Sequence, residues 1–136
     1  MLSPLPVPHH KELGVAYEHY LEIDSEAHLT LDTTRLSKVT TGEHLEREIS
    51  LINSRKEAAQ DRSSSKEVKV NWLWILEYDL HEATIRVKET YRTFSQDLLT
   101  GVRSYDRCHY RIRDVLLEKE ARIWKVKDLI FVDWSG

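Results

Sequence analysis

VKVNWLWILEY (residues 68–78) and ATIRVKETY (residues 83–91) are the stretches whose reading decides the fold. In the second, Ala83, Ile85, Val87, Glu89 and Tyr91 fall on one side, and Thr84, Arg86, Lys88, Thr90 and Arg92 on the other. That is the period of two that a half-buried strand requires. In the first, Val68, Val70, Trp72, Trp74, Leu76 and Tyr78 make one apolar face. Leu73 and Ile75 on the opposite face predict that its middle is covered on both sides. The short polar gap between the two stretches makes them a hairpin.

The alternation continues toward the C-terminal end. Asp97-Leu98-Leu99-Thr100-Gly101 supplies a turn. Beyond it Cys108, Tyr110 and Ile112 read inward and Arg107, His109, Arg111 and Arg113 outward. Between Asp114 and Leu117 the apolar parity slips by one, as at a bulge. After a last turn at Glu118 to Arg122, the fourth inner face is Trp124, Val126, Asp128, Ile130, Val132 and Trp134. Four consecutive strands with no crossover helices predict an antiparallel meander and exclude a parallel doubly wound sheet.

Upstream the period is 3.6. Leu13, Ala16, Tyr17, Tyr20, Leu21, Asp24, Ala27, His28 and Leu31 recur at steps of three and four, which predicts one long amphipathic helix. Asp32-Thr33-Thr34 can cap a short helix over Leu36 to Val39. A third helix carries Leu45, Ile49 and Ile52 on one stripe. Gln60 to Ser65 reads as a linker. Pro4, Pro6 and Pro8 predict an extended leader over 1–10, with a single domain over 11–136. The expected class is therefore α+β, three N-terminal helices packed on one face of a four-stranded sheet.

Composition narrows the function. The 136 residues carry 20 Lys plus Arg against 23 Asp plus Glu, a net charge of -3, so there is no basic excess for nucleic acid. No apolar run approaches the ~18 residues of a membrane span. The start MLSPLPVPHH lacks the charged n-region of a secretory signal, which favours a soluble cytoplasmic chain over a secreted one. Lone Cys108 excludes an intrachain disulfide. The histidines are scattered and no glycines cluster, so neither a metal nor a phosphate-binding cofactor is expected.

The long first helix, LSKVTTGEHLEREI (residues 36–49), the turn at Thr100-Gly101 and the closing RIWKVKD (residues 122–128) resemble the nuclear-transport-factor-2-like superfamily, including SnoaL-like members. Within it the chain is similar to the IMS-like domains of chloroplast-division proteins. The resemblance implies a cone: a strongly bent sheet whose concave face holds the helices, leaving an opening used as a ligand pocket and a sheet face used for dimers. It implies both enzymes and non-catalytic domains, so it does not choose between them.

Candidate site residues follow from the faces. Glu89 and Asp128 are the acids on the otherwise apolar inner side, and either could move a proton, with Tyr91 or Tyr110 stabilising the developing charge. Otherwise they are paired structural acids. Tyr17, Tyr20, Asp24 and His28 share one helical face and, with Trp74, Tyr91 and Trp124, define the expected pocket. Their competing reading is an ordinary aromatic core. Arg103, Arg107, Arg111 and Arg113 form an outward strip that could dock a partner, or simply a solvated face. The reading is a non-catalytic domain binding a small apolar ligand or a protein, with a homodimer through the sheet compatible. The alternative is a small-molecule isomerase, dehydratase or cyclase.

Overall fold

The computed structural model describes residues 7–58 and 61–134. Two α-helices lead, α1 (Val7–Thr30) and α2 (Gly42–Ala58), separated by a single 3-10 turn at Leu36–Lys38 in place of the expected short helix. Five strands follow: β1 (Arg62–Tyr78), β2 (Glu82–Asp97), β3 (Arg103–Tyr105), β4 (His109–Glu120) and β5 (Ile123–Trp134). They form one antiparallel sheet in the order β1-β2-β4-β5, with β3 also paired to β2. The helices-then-meander class is the one the periodicity predicts. The fifth strand arises because the expected third strand is broken at Asp106 to Cys108. The ladder bridges that break, since Asp106 N–H donates to the Thr93 carbonyl at 2.8 Å.

Two boundaries differ from expectation. α1 begins at Val7, inside the expected leader. Pro8 is tolerated in a first turn because its missing N–H would have no intrahelical acceptor there. Pro4 and Pro6 lie outside the described residues. β1 begins at Arg62, inside the expected linker, of which Gln60 lies outside the described residues. Ser63 and Ser65 are buried, and the Ser65 hydroxyl donates to the Ser25 carbonyl at 2.6 Å. A serine run reads as linker by composition, but small hydroxyls also suit a strand passing close under a helix.

α1 lays Leu13, Tyr17, Tyr20, Ile23 and Ala27 on the sheet, where they meet Ile85 and Val87 of β2, Val115 and Leu117 of β4, and Trp124 and Val126 of β5. Burying each large apolar side chain contributes roughly 1.5–3 kcal/mol. The free edge of β5 is partly covered by residues 39–41: Val126 N–H donates to the Val39 carbonyl at 2.8 Å, and Thr41 N–H to the Val126 carbonyl at 2.9 Å.

Bulges correct the predicted faces. The β1–β2 register shifts between Val70 and Trp72 and again between Ile75 and Glu77. Each extra residue exchanges the strand's two sides. Ile75 therefore enters the core, Leu73 packs against it, and Trp74 turns outward to 58% exposure. On the β4–β5 pair the shifts fall at Ile112/Arg113 and Leu116/Leu117, leaving Lys127 and Val132 of β5 as the extra residues. Beyond Val126 the inward set becomes Leu129 and Phe131 while Ile130 faces out. β4 contains no parity slip: Arg111, Arg113, Val115 and Leu117 are all buried on one face. A slip follows only if the arginines are assumed to point to water. Cys108, expected inside, is exposed. Among the described residues no helix is long and apolar enough to cross a membrane.

Candidate functional site

Alternation aims Glu89 of β2 inward, where it has no exposed surface. A buried carboxylate is stable only with donors on its lone pairs. Arg111 Nε donates to Oε1 at 2.6 Å, Arg113 Nη2 approaches the same oxygen at 2.9 Å, and the Tyr17 hydroxyl donates to Oε2 at 2.8 Å. Arg113 Nη2 also donates to the Tyr17 oxygen at 2.6 Å. Burial raises the Tyr17 pKa far above the phenol range, against the pull of Arg113. Tyr17 is therefore a neutral hydroxyl whose proton is committed to Glu89.

Beside this cluster a cavity of about 560 Å³ opens between the helices and the sheet. α1 supplies Tyr20, Asp24 and His28; α2 supplies His44, Glu48 and Arg55; the sheet supplies Lys66, Arg111 and Arg113. Leu21, Leu51, Val68, Leu129 and Phe131 make its apolar surface. Helical spacing explains the first two sets, since residues three and four apart share a face.

The polar groups of the helical wall hold one another. Tyr20 Oη and His44 Nε2 are 2.7 Å apart, and His28 Nε2 lies 2.6 Å from Glu48 Oε2 and 3.6 Å from Asp24 Oδ1. Burial lowers the His44 pKa and so favours its neutral ring, and burial likewise raises that of Asp24. For His28, burial works against protonation, but Asp24 and Glu48 outweigh it and raise the pKa to about 9. The other ring nitrogen faces a different partner: Arg55 Nη1 is 2.7 Å from Nδ1. A guanidinium has only donors, so this contact calls for a lone pair on Nδ1, keeps the proton on Nε2 and opposes the second protonation that Asp24 and Glu48 favour.

Asp24, His28 and Glu48 present ligand atoms within 4.8 Å of one another, the spacing of a cation site. The surroundings do not suit a metal. A metal-bound imidazole donates its second N–H to an acceptor, whereas here that nitrogen meets Arg55. The cluster is built around a proton on Nε2.

Of the residues expected at the pocket, Tyr20, Asp24 and His28 line the cavity. Tyr17 lies under its floor, bound to Glu89. Tyr91 packs behind it against the Arg111 guanidinium, 4.6 Å from ring centroid to Cζ. Trp74 is outside for the reason given, and Trp124 is buried elsewhere, against Tyr78. None of the four tryptophans lines the cavity. Among the candidate catalytic groups, Glu89 is sealed in its ion cluster. Asp128 sits past the Lys127 bulge, 41% exposed and 2.9 Å from Arg47 Nη2. Tyr110 is on the outer sheet face, with its hydroxyl 3.4 Å from Asp133. The arginine strip divides as well. Arg111 and Arg113 are internal, whereas Arg103 and Arg107 are on the surface, Arg103 over the Phe94 ring at 4.3 Å. Periodicity does not single out His44, Glu48, Arg55 or Lys66. Glu48 and Arg55 read as the solvated side of a helix, and nothing in their spacing relates them to α1.

No family profile matches the chain, and no curated protein matches it. Solved structures do. The intermembrane space region of chloroplast protein ARC6 is 11% identical with a TM-score of 0.69, covering 95% of this chain and 98% of that one. Aln2 from a Streptomyces species is 9% identical with a TM-score of 0.58, over 94% and 93%. A ketosteroid isomerase-like protein from Erwinia carotovora atroseptica is 14% identical with a TM-score of 0.51, over 90% and 95%. At such identities the likeness speaks of fold alone: the chain has the nuclear-transport-factor-2-like cone fold.

Proposed function

We propose that this domain binds a small molecule in the cone cavity without transforming it. The observation that carries the reading is a cavity of about 560 Å³ with an apolar wall facing a polar one. That volume lies within the roughly 300–1,000 Å³ of small-molecule sites. The polar wall supports binding over chemistry, because its groups are engaged with each other: Tyr20 with His44, Glu48 with His28. The test is titration with 1-octanol followed by backbone and methyl NMR. Shifts at Leu21, Val68 and Leu129 are expected, and a spectrum unchanged at those positions overturns the reading.

A second reading, acid–base catalysis on a small ketone, is favoured by one oxygen. Asp24 Oδ1 is buried with no hydrogen-bond partner, and burial raises the pKa of its carboxyl, as a general base requires. The likeness to a ketosteroid isomerase-like protein is compatible with it. The two separate on whether α-protons of bound cyclohexanone exchange with deuterium oxide. Exchange that Asp24→Asn abolishes establishes the enzyme, and none at saturating ketone leaves a binding domain.

A further inference from the structure

The sheet side of the cavity carries three cations, Lys66, Arg111 and Arg113, and one carboxylate touches the two arginines. Glu89 takes both arginines and the Tyr17 hydroxyl and has no exposed surface left to take a third cation. Lys66 makes no ion pair among the described residues; its Nζ lies over the Tyr91 ring, 5.4 Å from the centroid. Arg113 retains an unanswered donor, as its buried Nε–H has no hydrogen-bond partner. Two guanidiniums on one carboxylate leave a net positive charge in a desolvated place, which a folded protein tolerates only at a cost in stability.

The acids across the cavity do not cancel it. Asp24 and Glu48 both face His28, and neither comes within ion-pair distance of Lys66 or the two arginines. The cations also repel one another: burial first, then Arg111 and Arg113, hold the Lys66 ammonium below its ordinary pKa. On the same cavity, Leu21, Val68, Leu129 and Phe131 offer apolar contact. An excess of positive charge on one wall beside an apolar surface is the complement of an amphipathic anion.

We propose that the cavity's occupant is an amphipathic anion, whose carboxylate or phosphate head lies against Lys66 and the Arg111–Arg113 pair while its apolar body covers Leu21, Val68, Leu129 and Phe131. This rests on the cavity being a binding site and names the class of ligand it takes. The opposite polarity, a cationic ligand against Asp24 and Glu48, is disfavoured because His28 and Arg55 occupy those acids' side of the cavity.

The experiment compares octanoate, octyl phosphate and 1-octanol on the intact chain by calorimetry, in wild type and in Lys66→Gln. Lys66 makes no ion pair among the described residues, so its neutral variant folds, whereas changing Arg113 would strand Glu89. Either anion should bind at least about tenfold more tightly than the alcohol, the worth of one charge-assisted hydrogen bond, and Lys66→Gln should erase most of that margin. The tighter of the two anions then assigns the head group. Equal binding of all three probes overturns the anion inference and leaves the cavity reading standing; no binding of any overturns both. An anion margin that Lys66→Gln leaves intact and moderate salt abolishes marks general surface attraction, and also overturns the inference.

Discussion

Arg113 and Tyr17, ninety-six residues apart in the chain, meet at 2.6 Å through Nη2 and the phenolic oxygen. This contact ties β4 to α1, and both side chains also reach Glu89 of β2. One hydrogen-bonded knot thus joins the long helix to two adjacent strands beneath the cavity floor. Its members are buried, so it matters more for what its loss would strand than for any net gain over an apolar core.

Glu89→Gln leaves two guanidiniums without a counter-charge and should destabilise the fold by about 3–5 kcal/mol. Tyr17→Phe keeps the ion pairs, removes the hydroxyl's bonds to two charged partners, Glu89 and Arg113, and should cost about 1–3 kcal/mol. Urea denaturation measures both. Equal costs would show that the hydroxyl, and not the charge balance, dominates the knot.

The His28 ring reports on Arg55. With the guanidinium against Nδ1, protonation is opposed; Arg55→Met removes that opposition and leaves Asp24 and Glu48 acting on the ring, so the His28 pKa should rise above its wild-type value. Histidine NMR titration checks this. A His28 pKa that Arg55→Met leaves unchanged would mean that Arg55 does not hold Nδ1.

His44 supplies a pH dependence of stability. Its pKa is depressed in the folded chain by burial, so the unfolded chain takes up the proton first. The contribution is present above the unfolded histidine value of about 6.5 and is lost as pH falls through and below it. Between pH 7.5 and 5 the wild type should lose more stability than His44→Gln, as read from denaturation midpoints. Parallel curves would refute it.

The turn between β4 and β5 is two residues long, and both Ala121 and Arg122 have positive φ, 50° and 70°. That pattern of a primed turn favours Asn-Gly. Ala121→Asn with Arg122→Gly should stabilise the domain by about 1 kcal/mol or more without touching the cavity. A thermal midpoint that does not rise would contradict it.

The outer sheet face is the remaining place for the homodimer considered from the sequence. Trp74 and Ile130 are half exposed there, flanking the Arg86–Asp114 pair, in which Nε and Oδ1 are 2.7 Å apart. If copies associate through this face, Trp74→Lys should lower the mass measured by light scattering. A wild type that is already monomeric assigns the face to solvent.

The class of the fold was written in local pattern: a period of 3.6 before Ala58, a period of two after it, and no crossover helices. Asp24 and His28 were legible as cavity residues for the same reason, because helical spacing fixes which side chains share a face. The inside and outside of the strands were not. Asn71, Leu76, Lys127 and Val132 are extra residues only relative to a partner strand, so the sequence of one strand cannot show where its faces exchange. Arg111 and Arg113 looked external because charge usually is; what draws them inside is Glu89, and that pairing exists only once β2 and β4 lie side by side. The cavity's second wall belongs wholly to tertiary structure: Glu48 and Arg55 become neighbours of His28 only when α2 folds across α1.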